Sequence, residues 1–304
     1  TTTASAAGNW SYIFAAGTLS EGANIIDVLS TDSAGNSLDS ENLTITLETA
    51  ISIPSSLDLP AASDLGDSDT DNLTSTDTPT ITGQADPSCT IYVRVNGSQV
   101  GSTTSNGLGN WTYTFDGVDD LIEGTNIISA WAVDSVGNTS AFSADLVVVL
   151  DTTITTPLTP DLAAASDSGS SDTDNYTNDT TPTLTGTCEP GATILIHLNG
   201  TDAYATTTDA ADGLTDGFWS YTFAGGLNAS ATGTANTIKA AQRDVAGNLS
   251  AYSTALTVTL DTTASLPGTP DLTAISDTGD LDDDNITHIR NVTITGTVEV
   301  NSSL

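Results

Sequence analysis

Aspartates recur at close, alternating positions in three short stretches of this 304-residue chain. The first reads Asp64-Leu65-Gly66-Asp67-Ser68-Asp69-Thr70-Asp71-Asn72. A second contains Asp167, Asp172, Asp174 and Asn175, and a third Asp277, Asp280, Asp282, Asp283, Asp284 and Asn285. In a loop, Asp-x-Asp spacing beside a glycine lets alternate carboxylates and a main-chain carbonyl converge on one hard cation. Calcium suits such a loop because it accepts roughly six to eight oxygens in loose geometry. An EF-hand is excluded, since the expected glutamate at the end of the loop is missing. The blocks hold no nitrogen or sulfur ligand, which argues against zinc and copper. The same residue types also make ordinary solvated turns, and recurrence in three places is what favours the ligand reading. The candidate calcium ligands are Asp64, Asp67, Asp69, Asp71, Asp167, Asp172, Asp174, Asp277, Asp282 and Asp284, with Asp151 and Asp261 at the ends of two later apolar runs.

Composition points the same way. The chain has 39 acidic and 4 basic side chains, a formal charge of −35, and the acids divide into 33 Asp and 6 Glu. Asp suits turns and hard-cation sites where Glu suits helices. Four cations cannot neutralise a run of phosphates, so nucleic acid is excluded as a partner, and an anionic membrane surface is disfavoured for the same reason. No apolar window is long enough to span a bilayer, and the first residues do not read as a signal peptide. The two cysteines, Cys89 and Cys188, form no disulfide framework and are expected to be free thiols.

The elements that must position the acids repeat. Gly109-Asn110-Trp111-Thr112-Tyr113-Thr114-Phe115 returns as Gly8 to Phe14 and as Gly217 to Phe223. An Asp-x-x-Gly-Asn motif follows each copy, at Asp32, Asp134 and Asp244. Next comes an alternating apolar run ending at Glu48, Asp151 or Asp261, and then an acidic block. Four markers in constant order define tandem domains. On that period 51–151 and 152–261 are nearly whole repeats, 1–50 is the back part of one and 262–304 the front part of another. Ends that fall inside repeats predict either a window on a longer fibre or halves that complete one another between molecules by strand donation. The window is favoured, because the two halves lack a counterpart of Thr90–Gly101.

Within a repeat, residues 78–83, 90–95, 111–115, 126–133 and 146–150 are β-branched or aromatic, with period-two alternation or short apolar runs between Asn-Gly, Gly-Asn and Pro-rich turns. Short strands in a domain of about 100 residues predict an all-β antiparallel sandwich. Trp10, Trp111, Trp219 and Trp131 are expected in cores, and His197 and His288 are isolated. No nucleophile elbow, zinc-protease helix or phosphate loop occurs, so no enzyme is predicted. Of 19 Asn residues, 14 lie in Asn-x-Ser/Thr sequons. The repeated turn and strand motifs account for this more simply than glycosylation does.

The succession Ser166 to Asn175, Thr181 to Thr187, Glu189-Pro190-Gly191-Ala192, Gly217 to Phe223, Asp244 to Asn248 and Leu260 to Thr263 resembles the bacterial immunoglobulin-like repeats of giant surface adhesins secreted by type I systems. The resemblance covers the entire chain and departs at Glu48 and at Asp86-Pro87-Ser88. It implies tandem immunoglobulin-like sandwiches arranged end to end as an extracellular stalk, with calcium at the junctions. Strand direction would put each acidic block at the far pole of its repeat and each Asp-x-x-Gly-Asn turn at the near pole. The junction of second and third repeats is then expected to take calcium through Asp67, Asp69 and Asp71 with Asp151 and with Asp244 of the next repeat. Asp134 and Asp244 are the secondary candidates, since their motif also reads as a plain turn. Partners are then neighbouring repeats, copies of the chain in a fibre, and an unknown ligand at a distal tip. A subunit of an extracellular filament and a carbohydrate-binding module are the alternatives. The second of these requires a flat exposed aromatic strip.

Overall fold

The computed structural model describes residues 1–118, 121–169, 171–207, 217–224, 227–228, 234–281 and 283–299, all strand, turn and loop. It forms two compact units, residues 1–152 and 153–304.

The first unit opens with four short strands, β1 (Gly22–Ile26), β2 (Leu29–Thr31), β3 (Ser37–Asp39) and β4 (Leu43–Leu47), in which β1 pairs antiparallel with β4 and β2 with β3. A full sandwich follows. Strands β5 (Ser55–Asp58), β6 (Leu73–Thr74), β7 (Thr80–Gln84), β8 (Thr90–Val95), β9 (Ser98–Thr104), β10 (Asn110–Thr114), β11 (Gly124–Val133) and β12 (Leu146–Leu150) make two sheets. One has the order β10-β7-β5 and the other β6-β12-β11-β8-β9. In the second unit β13 (Asp161–Leu162), β14 (Tyr176–Thr177), β15 (Thr183–Thr187), β16 (Thr193–Leu198), β17 (Thr201–Thr207), β18 (Phe218–Thr222), β19 (Thr234–Arg243) and β20 (Leu256–Leu260) repeat both orders. The pair β21 (Asp271–Leu272) and β22 (Ile294–Thr295) closes the unit.

Alternation decides which side chains fill each core. In β8, Ile91, Val93 and Val95 are buried while Thr90, Tyr92 and Arg94 are half-buried on the outer face. Across the sandwich Trp111 packs from β10, where its register partner is Gly83 of β7. A Cβ at Gly83 would collide with the indole, and at the equivalent Gly186 it would stand 2.6 Å from Trp219. Glycine in the Thr-x-Thr-Gly motif is therefore a seat for the tryptophan in the neighbouring strand. Trp111 and Trp219 are buried as expected, whereas Trp10 is 54% exposed, because residues 1–50 contain no counterpart of β7 to seat it. The β8–β9 and β16–β17 hairpins turn at Asn96-Gly97 and Asn199-Gly200, where both residues of each pair have φ between 50° and 88°. Such turns match the strand twist, and only Gly and Asn adopt that region readily.

Strand direction divides each repeat into two ends. Entry, the turn after β7 and the Asp134–Asn138 turn lie at one end, since β7, β8 and β11 place residues 84, 90 and 133 together there. The exit of β12 lies at the other. There β6, just after the acidic block, pairs parallel with the end of β12, Leu73 with Val149 and Thr74 with Leu150. The equivalent β14 pairs with β20 in the same way.

Candidate metal centre

Each acidic block starts with a tight turn that carries one aspartate inward. In the second repeat the Pro60 carbonyl accepts the N–H groups of Ser63 and Asp64 at 2.7 and 3.0 Å. The Ser63 hydroxyl accepts the Thr80 amide at 2.9 Å, and the Ser63 carbonyl accepts the Thr74 hydroxyl at 2.7 Å. Asp64 thereby lies beneath the loop, 2% exposed, with Oδ2 accepting the Asn72 amide at 3.1 Å. Asn72 closes the loop at φ 59°.

The arrangement recurs. Asp167 and Asp277, each 4% exposed, accept the amides of Asn175 and Asn285 at 3.1 and 3.0 Å. Both asparagines have φ 59°. Ser166 and Ser276 hold the Thr183 and Thr293 amides, each at 2.9 Å. In all three loops the other carboxylate oxygen, Oδ1 of Asp64, Asp167 or Asp277, is buried and meets no hydrogen-bond donor among the described residues. A buried carboxylate oxygen without a donor is costly. The same orphan at the same place in three loops fits a ligand position for a hard cation.

The remaining predicted ligands are differently placed. Asp67, Asp69, Asp71, Asp172, Asp174 and Asp284 are exposed, and Asp282 lies outside the described residues. Asp71, Asp174 and Asp284 accept the backbone amides two residues on, at 3.0 to 3.1 Å. Among the described residues no three His, Cys, Asp or Glu side chains converge into a cage. The loop thus presents one inward anchor and a rim of outward carboxylates, and closing them on an ion requires rim side chains to turn. Burial is the main reason that the Asp64 carboxyl titrates above the ordinary range; the Asn72 amide opposes it and the charges of Asp71 and Asp69 reinforce it.

Asp151 and Asp261 follow the exit strands, and their amides bond the carbonyls of Thr74 and Thr177, each at 2.9 Å. Both are half-buried beside the strand that leaves the acidic loop. Asp134 sits at the opposite end, and its carboxylate is occupied: Oδ1 accepts the amides of Val136, Gly137 and Asn138 at 2.8 to 3.0 Å, and Oδ2 accepts the Asn138 side chain at 2.7 Å. Burial pushes its pKa upward, but these bonds outweigh it and hold the carboxyl below its usual value. Asp244 is 5% exposed and accepts both amides of Asn248 at 2.8 Å. These aspartates organise turns, and the Asn138 side chain also donates to the Glu48 carbonyl at 3.0 Å, joining the turn to the preceding linker.

Three further readings of single residues change. Trp131 is not in the core; it stands half-buried on the outer face of β11, because its register partner is outward Tyr92. The two rings stack at 5.0 Å, Phe142 meets Trp131 edge-on at 5.4 Å, and Arg94 covers Phe142 at 3.5 Å. These rings shield one another and do not form the flat strip that a sugar platform needs. Neither histidine is isolated: the Thr278 hydroxyl lies 2.7 Å from Nδ1 of His288, and the β16–β17 register brings Nδ1 of His197 to 2.8 Å from Asp202, which also accepts the Tyr252 hydroxyl. The Tyr252 hydrogen bond, followed by that of His197, holds the Asp202 carboxyl low. His197–Tyr252 occupies the place of Arg94–Phe142, so both clusters fasten the segment before the last strand onto the sheet. Neither Cys89 nor Cys188 takes part in a disulfide among the described residues.

Two stacked-sheet repeats with Greek-key pairing, carried in tandem and each bearing one inward acidic loop, define a chain of immunoglobulin-like sandwiches. The chain belongs to the bacterial Ig-like domain family, which it matches over residues 50–152 and 153–262. No curated protein matches it. Among solved structures it is similar to one described as a Ca2+-stabilized adhesin that helps an Antarctic bacterium reach out and bind ice, at 22% identity and a TM-score of 0.39, covering 79% of this chain and 56% of that one. The chain therefore spans just over half of that structure. A 1.5-MDa bacterial ice-binding adhesin matches at 21% identity and a TM-score of 0.38, over 80% of this chain and 74% of the other. A tetra-tandem repeat in the extending region of a large adhesion protein matches at 21% identity and a TM-score of 0.30, over 86% and 66%.

Proposed function

We propose that the chain is a non-catalytic extender segment of an extracellular bacterial adhesin, in which calcium bound beside the exit of each repeat stiffens the array. The observation that carries this reading is the thrice-repeated buried carboxylate whose Oδ1 lacks a donor, at Asp64, Asp167 and Asp277. Each would anchor an ion, with Asp67, Asp69 and Asp71, or Asp172 and Asp174, or Asp284, closing from the rim. Asp151 and Asp261, at the exit strands, would complete the shell. Calcium supplies charge neutralisation and crosslinking there, and the protein supplies oxygen ligands. Tandem repeats contacting mainly their neighbours can extend far without a change of design, which suits a stalk that holds a distal binding domain away from a cell surface, in adhesion or biofilm growth.

Small-angle scattering of the whole chain in calcium and in chelator tests the proposal. Calcium should lengthen the maximum dimension and narrow the distance distribution. Indistinguishable profiles in the two buffers would remove the stiffening role and leave a calcium-indifferent spacer.

A further inference from the structure

The linkers that follow β4 and β12 are each gripped by acidic side chains at two points. On leaving β4, Thr49 donates its amide and its hydroxyl to Glu21, at 2.9 and 2.8 Å. On leaving β12, Thr152 does the same to Glu123, with amide distances of 3.1 and 3.3 Å and a hydroxyl distance of 3.0 Å. Glu21 and Glu123 are equivalent, each standing just before the glycine that opens β1 or β11. Three residues further on, the next repeat takes hold. Ser52 donates its amide to Asp86 at 2.7 Å, Thr155 its amide and hydroxyl to Glu189 at 2.8 and 2.7 Å, and Ser265 its amide to Glu299 at 2.8 Å. Asp86, Glu189 and Glu299 are again equivalent.

In the third repeat the entry grip is stronger. Gln242, 1% exposed, receives the Glu189 amide at 2.8 Å on Oε1 and donates Nε2 to the Thr155 carbonyl at 2.8 Å. Its amide thus orients Glu189 while holding the residue that Glu189 binds. Two residues separate the anchored pair in the first two linkers, Ala50 and Ile51, then Thr153 and Ile154, and two, Thr263 and Ala264, precede Ser265 in the third. At the exit from the third repeat the sequence has Gly233 in the position of Glu123, so no carboxylate side chain is supplied from that position.

From this recurrence we infer that the linkers are ordered by a pair of carboxylate latches that act without metal, an exit latch from the repeat being left and an entry latch from the repeat being entered. This goes beyond the calcium reading and does not rest on it. The latches bear on main-chain N–H groups at the linker, whereas the orphaned carboxylates lie in the acidic loops. Calcium would then act on a linker whose ends are already held. Gly233 makes the exit from the third repeat the loosest of the three.

Amide hydrogen exchange followed by NMR on the whole chain in chelator decides the matter. A charge-assisted bond should slow the Thr152 and Thr155 amides by roughly tenfold to a hundredfold relative to unstructured peptide. Glu123→Ala should release Thr152 alone and Glu189→Ala should release Thr155 alone. Core amides such as that of Val93 serve as the control for folding, and Thr262 should exchange faster than Thr152. If wild-type Thr152 and Thr155 exchange at peptide rates in chelator and slow only when calcium is added, the latches do not operate without metal. That result would leave calcium stiffening untouched. Unchanged exchange at Thr152 in a folded Glu123→Ala chain would equally overturn the assignment.

Discussion

At Asp64 one carboxylate oxygen accepts the Asn72 amide and the other meets no hydrogen-bond donor among the described residues, so the ionised form is held at a deficit in metal-free protein. Its folded pKa is raised, chiefly by burial. A raised carboxylate contributes stability below its unfolded pKa and loses that contribution as pH rises through the folded one. At neutral pH the ionised loop is therefore destabilising, and on the proposed function protons would compete with calcium for this carboxylate. Asp64→Asn keeps the acceptor for the Asn72 amide and removes the charge. In chelator it should raise the melting temperature of its repeat, relieving roughly 1–3 kcal/mol. In calcium it should abolish that repeat's share of the stabilisation, and the wild-type calcium increment should shrink as pH falls into the carboxylate range. Lower stability of Asp64→Asn in chelator, with an intact calcium response, would show that Oδ1 faces no ion.

Among the elements, the segment between β11 and β12 explains a sequence signal that looked like modification. The Asn138-x-Ser140 and Asn248-x-Ser250 sequons are structural at both ends. Asn138 and Asn248 cap their aspartate turns, and the Ser140 and Ser250 hydroxyls accept the Ala132 and Gln242 amides at 2.9 and 3.0 Å. Three residues on, Ser143 and Ser253 accept the Ala130 and Ala240 amides, each at 3.0 Å. Serine hydroxyls thus complete the sheet where β12 and β20 do not reach. Ser253→Ala leaves the Ala240 amide unpaired in a buried sheet and should cost about 1–3 kcal/mol, measured by urea unfolding, with Ser253→Thr recovering part of the loss. Alternation was enough to read β8 and β12 from the sequence with both ends correct, because each has one face in the core. It failed for β9, Ser98–Thr104, an edge strand whose polar residues carry no inward pattern, and for the two-residue β6, which is defined only by its partner. In the acidic block, residue type and spacing were legible. Which aspartate turns inward was not, since that depends on Ser63 reaching Thr80 across 17 residues.

For the molecule as a whole, a formal charge of −35 on 304 residues sets calcium against simple screening. Monovalent salt weakens repulsion between exposed carboxylates over a Debye length of about 8 Å at physiological strength. It does nothing for an oxygen buried without a donor. The two effects therefore separate when calcium chloride and sodium chloride are compared at equal ionic strength. If the proposed sites bind with affinities of about 10⁻⁴ to 10⁻³ M, as in extracellular modules, 10 mM calcium would stabilise a repeat by roughly 1.4 to 2.7 kcal/mol per site. For domains of this size each kcal/mol moves the melting point by roughly 4 to 8 °C. Differential scanning calorimetry of the whole chain should accordingly show a calcium shift several-fold larger than the matched sodium shift. The excess should disappear when Asp64, Asp167 and Asp277 are all changed to Asn. Equal shifts in the two salts would mean that the acidic loops act only as surface charge. In that case the buried aspartates would have to be explained by loop folding alone, through the amides of Asn72, Asn175 and Asn285 that they already accept.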